Sequence, residues 1–289
     1  MSAAAAAAPA GAPARYAVVG NPVAHSRSPA IHALFAAQTG HPIEYGRLLA
    51  PLDGLAATVA GFRAEGGCGL NVTVPFKTEA AALADALTPR ARAAGAVNTL
   101  RFDASACLGD NTDGAGLLRD IEQRLGVGLA GARVLLLGAG GAARGVVRPL
   151  LDAGVAQLVV ANRTTARAHA LAAAFDTPRL VARALDADPG TERFDVVVNA
   201  TSAGLADAAP ALPEAMLGAA RLAYDMVYGA HPTAFVRAAR AAGCPLACDG
   251  LGMLVEQAAE SFLVWRGVRP DTAPVHAALR AALDAEAAR

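Results

Sequence analysis

The chain has 289 residues, a formal net charge of zero at pH 7 and four cysteines. Without a sustained basic run it lacks the surface that nucleic-acid binding requires, and the few, unevenly spaced cysteines exclude a disulfide framework or a zinc site. We therefore expect a small-molecule ligand, reduced thiols, no bound metal and no nucleic-acid partner. The length allows two domains.

The alanine- and proline-rich start, residues 1–14, has no positively charged segment followed by an apolar core, so it does not resemble a secretory signal. No later apolar run is long enough to cross a bilayer. We expect a disordered N-terminal extension on a cytoplasmic protein with no membrane partner.

The first part of the chain alternates apolar runs with helical segments. Tyr16–Val19 is predicted as a buried strand, and Ser28 as the N-cap of a helix whose first position is Pro29. A second strand is predicted over Gly69–Val74 and a second helix over Lys77–Leu87. This alternation indicates a mainly parallel sheet covered by helices.

The second part repeats the alternation and then becomes helical. A helix is predicted over Leu117–Leu125. The predicted strands after it are Val134–Leu137, Leu158–Ala161, Val196–Val198 and Ala223–Val227, and the helical end covers Leu254–Trp265 and Pro274–Ala288. The pattern is typical of a second α/β domain, so the fold class is α/β with two domains.

Lys77 is the only lysine among the 25 basic residues. An ammonium is a compact donor that can take part in proton transfer, whereas arginine stays charged and planar. The position therefore suggests catalysis, although one lysine could also persist by chance.

The six asparagines all stand in short polar segments between apolar runs. They are Asn21, Asn71, Asn98, Asn111, Asn162 and Asn199. One or two such asparagines would mark ordinary turns. All six together predict polar groups gathered at one edge of a sheet.

A glycine-rich turn, Gly138–Ala142, follows a buried strand and opens a helix. Gly138 permits the tight turn, Gly140 allows the backbone to approach a pyrophosphate, and the small Ala143 allows close packing of helix on strand. The pattern predicts a dinucleotide site, and the alternative is an ordinary tight turn between strand and helix.

The residues after the next strand predict which dinucleotide binds. An NAD site usually has Asp or Glu there, whereas this chain has Asn162, Arg163 and Thr164, with Arg167 one turn later. A guanidinium fits a 2′-phosphate, so we predict NADP. The alternative is that Arg163 is a solvated surface residue.

Several segments, in this order, resemble the shikimate dehydrogenase family, NADP-dependent enzymes that reduce 3-dehydroshikimate. The matching segments are Gly20–Pro29, Asn71–Lys77, Gly95–Thr99, Asn111–Gly114, Gly138–Ala142, Asn162–Thr164, Asn199–Gly204, Asp249–Gly250 and Met253–Ala258. No single segment would identify the family, but their joint order is very specific.

The resemblance implies a domain layout and an active site in the cleft between two domains. Residues 1–14 would be the extension, 15–113 a mainly parallel α/β substrate domain, 114–250 a Rossmann-like NADP domain, and 251–289 a helical segment that packs back on the substrate domain. We also expect a monomer or a homodimer.

The resemblance also assigns roles to individual residues. Lys77 and Asp113 match the catalytic pair, although Asp113 could simply cap a helix. Ser26 and Ser28 match the serines that bind the substrate carboxylate, and the other substrate positions are Asn71, Thr73, Asn98, Tyr228 and Gln257. The cofactor positions are Gly138, Ala139, Gly140, Gly141, Ala142, Asn162, Arg163, Thr164, Arg167, Thr201, Met226 and Gly250.

Two departures from the family pattern affect loops rather than the reaction. Ala33 stands where the family usually has asparagine, and the proline usually found soon after Tyr228 is shifted. Two other functions remain open: a quinate/shikimate dehydrogenase that prefers NAD, and a paralogue that binds nucleotide and ligand without turnover.

Overall fold

A computed structural model describes residues 13–187, 192–201 and 208–288. The chain forms two compact units. The first comprises Met1–Asp113 and Val255–Val275, and the second comprises Gly114–Leu254 and His276–Arg289. Most of the predicted disordered extension, residues 1–14, lies outside the described residues.

The first unit is built on a six-stranded mixed sheet with the order β2-β1-β3-β5-β6-β4. Its strands are β1 (Ala14–Gly20), β2 (Ile43–Leu49), β3 (Gly67–Val72), β4 (Ala86–Leu87), β5 (Thr99–Phe102) and β6 (Cys107–Asp110). Its first four helices are α1 (Ser28–Thr39), α2 (Leu55–Ala64), α3 (Lys77–Leu83) and α4 (Pro89–Ala94). Apolar side chains of the sheet and α2, including Val19, Leu70 and Leu55, form its core.

Strand direction determines which residues share an edge of this sheet. Strands β1 and β3 are parallel, β5 is antiparallel to both β3 and β6, and β4 is parallel to β6. The carboxyl ends of β1, β3 and β6 therefore lie at the same edge as the amino end of β5. The prediction of a mainly parallel sheet is confirmed except for β5.

Three local predictions in the first unit are wrong in detail. Ser28 is the first residue of α1 and Arg27 holds the N-cap position without a side-chain cap, while the Ser28 hydroxyl accepts a hydrogen bond from Ser26. The strand predicted over Gly69–Val74 is shifted to Gly67–Val72. Helix α3 ends at Leu83, because the following residues leave the helix to pair with β6.

The second unit has a six-stranded sheet with the order β12-β11-β10-β7-β8-β9, in which every pairing is parallel. Its strands are β7 (Arg133–Leu137), β8 (Gln157–Asn162), β9 (Leu180–Ala184), β10 (Val196–Asn199), β11 (Leu222–Asp225) and β12 (Ala247–Cys248). This is the strand order of a Rossmann fold, and the order reverses between β7 and β10. Ligands of such sheets bind beyond the carboxyl ends of the strands at this reversal.

The remaining helices are α5 (Asp113–Arg119), α6 (Gly141–Asp152), α7 (Thr165–Ala173), α8 (Glu214–Ala219), α9 (Ala234–Ala241), α10 (Leu251–Arg266) and α11 (Ala273–Ala287). The helix predicted over Leu117–Leu125 is confirmed as helical but begins earlier, at Asp113, and a turn of π-helix over Asp120–Arg124 replaces α-helix in its second part. Asp120 is fully buried there, where it accepts a hydrogen bond from the Tyr224 hydroxyl at 2.6 Å and pairs with Arg124.

The asparagines belong to two sheets, so the prediction of one shared edge is wrong. Four of them, Asn21, Asn71, Asn98 and Asn111, lie in the first unit, and Asn162 and Asn199 lie in the second. Within the second sheet, both asparagines are the last residues of their strands, β8 and β10.

Candidate active site

Lys77 and Asp113 form a close ion pair in the first unit. Lys77 is the first residue of α3 and Asp113 is the first residue of α5. The Lys77 Nζ lies 2.6 Å from Asp113 Oδ2, and the two side chains are 18% and 5% exposed. The second carboxylate oxygen accepts from Asn98 Nδ2 at 2.8 Å. Both carboxylate oxygens of Asp113 therefore bond side chains of the site. In a helix cap, a carboxylate oxygen would instead accept from a backbone N–H of the helix.

Asn98 is brought to this pair by the antiparallel strand. It precedes β5, whose amino end lies beside the carboxyl end of β6, where Asp113 follows. Its amide nitrogen also donates to Thr112 Oγ1 at 2.9 Å, and its amide oxygen accepts from the Thr112 backbone N–H at 2.8 Å. Because the amide is held on both sides, its donor and acceptor ends point in fixed directions.

Gln257 and Asn71 extend the same polar cluster. The Gln257 Oε1 accepts from Asn98 Nδ2 and from Thr112 Oγ1, each at 3.3 Å. The Asn71 Oδ1 accepts from the Tyr45 hydroxyl at 2.6 Å. Sequence reasoning missed Tyr45, because nothing in its own segment indicates that β2 lies two strands from the Asn71 strand.

Tyr45 also lies close to the predicted carboxylate-binding serines. Burial raises the pKa of Tyr45, and a hydrogen bond with Ser28 opposes that shift only in part. Ser26 Oγ and Ser28 Oγ are 3.2 Å apart, and the exposed guanidinium of Arg47 donates to the Ser26 backbone oxygen at 2.6 Å. The sequence predicted only the hydroxyl groups of Ser26 and Ser28 in this loop. The structure adds a cation, Arg47, beside them.

His32 is a buried histidine beneath this loop. It is 0% exposed and stacks on Tyr45 with ring centroids 4.2 Å apart. Burial lowers the pKa of His32 to about 3, and the neighbouring Asn71 opposes that shift only in part. Within the described residues, neither ring nitrogen of His32 forms a hydrogen bond. The ring is therefore neutral near pH 7 and acts as an aromatic support for Tyr45.

Thr73, the remaining substrate position predicted in the first unit, follows β3 directly. Its backbone N–H donates to Val19 at 2.9 Å, so the chain still pairs with β1 at this point. A side chain at Gly20 would collide with the Thr73 side chain. Gly20 is therefore required for close approach of the two turns that carry Ser26 and Lys77.

The glycine-rich turn of the second unit has the geometry that a pyrophosphate requires. Gly138 has φ +104°, and a Cβ there would lie 3.0 Å from the Ala200 carbonyl oxygen, so only glycine fits. A Cβ on Gly140 would meet nothing within 4 Å. The backbone before α6 is thus open to a ligand, while Ala143, at 0% exposure, packs the helix against the core.

The turn after β8 presents two exposed arginines. Arg163 follows Asn162, the last residue of β8, and Arg167 lies in the first turn of α7. Asn162 Nδ2 donates to the Thr164 carbonyl at 2.9 Å and closes the turn. Within the described part of the chain, neither guanidinium has a hydrogen-bond or ion-pair partner, so both are available to an anionic group.

The other predicted positions of the second unit lie beyond the ends of β10, β11 and β12. The Thr201 hydroxyl donates to Asn199 Oδ1 at 2.7 Å, while Ser202–Gly204 fall outside the described residues. Met226 and the half-buried Tyr228 follow β11. Gly250 packs so closely on Met226 that a Cβ there would collide with the Met226 carbonyl.

Two further observations concern residues 13–187, 192–201 and 208–288. No helix there is long and apolar enough to span a membrane. No group of three or more His, Cys, Asp and Glu side chains there is arranged to hold a metal ion.

Comparison with known proteins identifies relatives over most of the chain. Family models match at residues 18–100 (shikimate dehydrogenase substrate binding domain), 120–209 (shikimate / quinate 5-dehydrogenase) and 250–280 (shikimate 5′-dehydrogenase C-terminal domain). A shikimate dehydrogenase (NADP(+)) from Aromatoleum aromaticum is 61% identical over 93% of this chain and 98% of that relative.

Solved structures give the same result. A shikimate 5-dehydrogenase from Thermus thermophilus, in complex with NADP(H) and shikimate, has a TM-score of 0.82 and 38% identity, covering 93% of this chain and 99% of its own. The Ael1 enzyme from Pseudomonas putida has a TM-score of 0.87 and 51% identity, covering 92% of this chain and 98% of its own.

Proposed function

The chain belongs to the shikimate dehydrogenase family, and we propose that its Lys77–Asp113 pair carries out the proton transfer of the family's reaction. The protein is an NADP-dependent oxidoreductase that interconverts shikimate and 3-dehydroshikimate. In the direction of reduction, a hydride adds to the carbonyl carbon of 3-dehydroshikimate and a proton adds to its oxygen. NADPH, when bound, supplies the hydride.

The ion pair is the observation that carries the proposed mechanism. Negative charge develops on the carbonyl oxygen as the hydride arrives, and the Lys77 ammonium can stabilise this charge and donate the proton. Asp113, whose Oδ2 lies 2.6 Å away, directs the Lys77 Nζ, while Asn98 holds the second carboxylate oxygen. In the reverse direction the same pair would accept the proton.

Polar side chains of the first unit would recognise the substrate ring. Asn71, Asn98 and Gln257 are held by neighbouring groups at fixed orientations, which suits the binding of ring hydroxyls. Thr73 in the first unit and Tyr228 in the second complete the proposed substrate set. We assign substrate recognition mainly to the first unit and nucleotide binding to the second.

The second unit would bind NADP through two groups of residues. The open turn from Gly138 to Ala142, at the amino end of α6, fits the pyrophosphate. Arg163 and Arg167, with Asn162 and Thr164 shaping their turn, fit the 2′-phosphate. Thr201, Met226 and Gly250, which follow β10, β11 and β12 in turn, would line the rest of the nucleotide site.

The function is tested by following NADPH formation from shikimate in a spectrophotometer. We expect reduction of NADP in the presence of shikimate and much slower reduction of NAD. A protein that reduces NAD faster, with quinate as good a substrate as shikimate, would be the NAD-preferring enzyme instead. Binding of both ligands without any NADPH formation would identify a non-catalytic paralogue.

Replacing Ser26 or Ser28 with alanine is expected to weaken shikimate binding. Either change removes a donor to a carboxylate, which costs roughly 1.5–3 kcal/mol for a hydrogen bond to an ion. The Michaelis constant for shikimate should rise, whereas that of an analogue without the carboxylate should change little. If the Ser26→Ala variant loses as much affinity for the analogue as for shikimate, Ser26 does not bind the carboxylate.

We also propose that the protein works in the cytoplasm as a monomer or a homodimer. Its four cysteines, Cys68, Cys107, Cys244 and Cys248, are all unpaired, which fits a reducing compartment. Gel filtration with light scattering measures the mass of the particle directly.

A further inference from the structure

One hydroxyl group lies at the centre of the polar cluster without an assigned role. Ser261 is fully buried on α10, and its Oγ lies 2.9 Å from Asn71 Nδ2 and 2.8 Å from Thr99 Oγ1. It also lies 3.3 Å from Thr112 Oγ1 and donates to the Gln257 backbone oxygen at 3.0 Å. A single hydroxyl therefore contacts four polar residues of the cluster.

These contacts join segments that are far apart in the chain. Asn71 lies in β3, Thr99 begins β5 and Thr112 precedes α5, whereas Ser261 is one turn after Gln257 in α10. The bond to Asn71 spans 190 positions. Ser261 thus attaches the Gln257 helix to the sheet that carries Asn71.

Hydrogen counting shows that Ser261 acts mainly as an acceptor. A serine hydroxyl has one proton and two lone pairs. The backbone oxygen of Gln257 can only accept, so it takes that proton. The Ser261 oxygen then accepts from the Asn71 amide nitrogen.

This arrangement defines the orientation of the Asn71 amide. The Tyr45 hydroxyl, 2.6 Å from Oδ1, faces the oxygen side, and Ser261 faces the nitrogen side. A flipped amide would turn its oxygen towards Ser261, whose only proton already bonds Gln257. The other acceptors near Asn71 Nδ2, Thr99 Oγ1 at 3.2 Å and the Asn98 carbonyl at 3.3 Å, lie farther away than Ser261.

We propose that Ser261 is a positioning residue for substrate recognition, an inference that rests on the proposed function. Its hydroxyl holds the Asn71 amide in one orientation and fixes the turn of α10 that carries Gln257. It acts through these two side chains and does not itself contact the substrate. The Lys77–Asp113 pair is not among its contacts, so its loss should weaken substrate binding more than it slows the chemical step.

The test compares Ser261→Ala with the wild-type full-length enzyme. We expect the Michaelis constant for shikimate to rise about 5- to 30-fold, the effect of leaving one buried amide donor poorly paired. The turnover number and the Michaelis constant for NADP should stay within about threefold of wild type, because neither the ion pair nor the nucleotide turn is altered. Titration calorimetry with shikimate gives the same comparison at equilibrium.

Ser261→Cys separates hydrogen bonding from packing. A thiol fills the space of the hydroxyl but is a weak acceptor, so this variant should show the same rise in the Michaelis constant for shikimate. It also keeps the test decisive if the alanine variant folds poorly. If Ser261→Cys has wild-type shikimate kinetics, Ser261 contributes packing only and the proposal is overturned.

Thr39→Ala is the matched control. Thr39 Oγ1 donates to the backbone oxygen of Phe35, four residues earlier, as Ser261 does to Gln257, but it lies at the end of α1. We expect no change in shikimate kinetics for this variant, and a rise equal to that of Ser261→Ala would overturn the proposal. Absence of wild-type activity with shikimate would contradict the proposed function itself, a result distinct from an unaffected Ser261 variant of an active enzyme.

Discussion

Replacing Lys77 with arginine is expected to lower the turnover number by at least about 100-fold, the lower end of the contribution of a positioned acid–base group. Arginine keeps the positive charge but is larger, planar and a poor proton donor. Lys77 Nζ lies 2.6 Å from a carboxylate that is only 5% exposed, so a guanidinium would also displace Asp113 from Asn98. The measurement is the steady-state rate of NADPH formation at saturating shikimate and NADP.

Arg90→Lys is the matched control for this experiment. Arg90 pairs with Asp110, a carboxylate that is 3% exposed, at 2.6 Å in the same unit. Burial disfavours ionisation of Asp110, but Arg90, Thr88 and the Asn111 N–H outweigh it and hold the pKa of Asp110 below its usual value. The control should lose stability while its turnover number stays within about threefold of wild type.

Replacing Arg163 with alanine is expected to raise the Michaelis constant for NADP about 10- to 150-fold, the equivalent of one lost hydrogen bond to a charged group. The guanidinium is exposed and has no partner in the described residues, so it can bind the 2′-phosphate without breaking another contact. The turnover number should change little, because the 2′-phosphate is remote from the hydride. Initial rates at varied NADP and varied NAD measure both effects.

NAD provides the internal control, since it lacks the 2′-phosphate and its kinetics should be unchanged in the Arg163→Ala variant. Arg148→Ala is a further control, because Arg148 is an exposed arginine of the same unit that pairs with Asp152 at 2.9 Å. An unchanged preference for NADP over NAD in Arg163→Ala would remove the role assigned to this arginine.

The sequence predicts the elements whose signals are local. The continuous apolar runs identify β7, β8 and β10 nearly to their ends, because a strand buried on both faces has no polar positions. The conformation of Gly138 was also predictable, since a tight turn between strand and helix favours glycine with positive φ. The matching motifs, taken in their order along the chain, then identify the family.

Elements that depend on distant contacts could not be predicted in the same way. Strands β5 and β6 have four residues each and form a hairpin, and neither has enough alternation to indicate a strand by itself. At the π-helical turn over Asp120–Arg124, Asp120 accepts a hydrogen bond from the buried Tyr224 hydroxyl, 104 positions away. No local sequence pattern indicates a partner so far away in the chain.

The same distinction between local signals and distant contacts applies to the candidate site. Lys77 and Asn98 stand out in the sequence because their residue types are rare here and interrupt apolar runs. Tyr45 and Ser261 are ordinary in their own segments, and only the fold brings them to Asn71. Sequence reasoning thus finds the side chains proposed to meet the substrate more readily than those that hold them in place.

The most direct test of the central claim is a single-turnover measurement of the Lys77→Arg variant. Enzyme loaded with NADPH is mixed rapidly with 3-dehydroshikimate, and the loss of NADPH absorbance gives the rate of the chemical step without product release. We predict a rate at least about 100-fold below that of wild type, with unchanged NADPH affinity. A single-turnover rate equal to that of wild type, in a variant that is folded and binds NADPH normally, would contradict the assignment of proton transfer to Lys77.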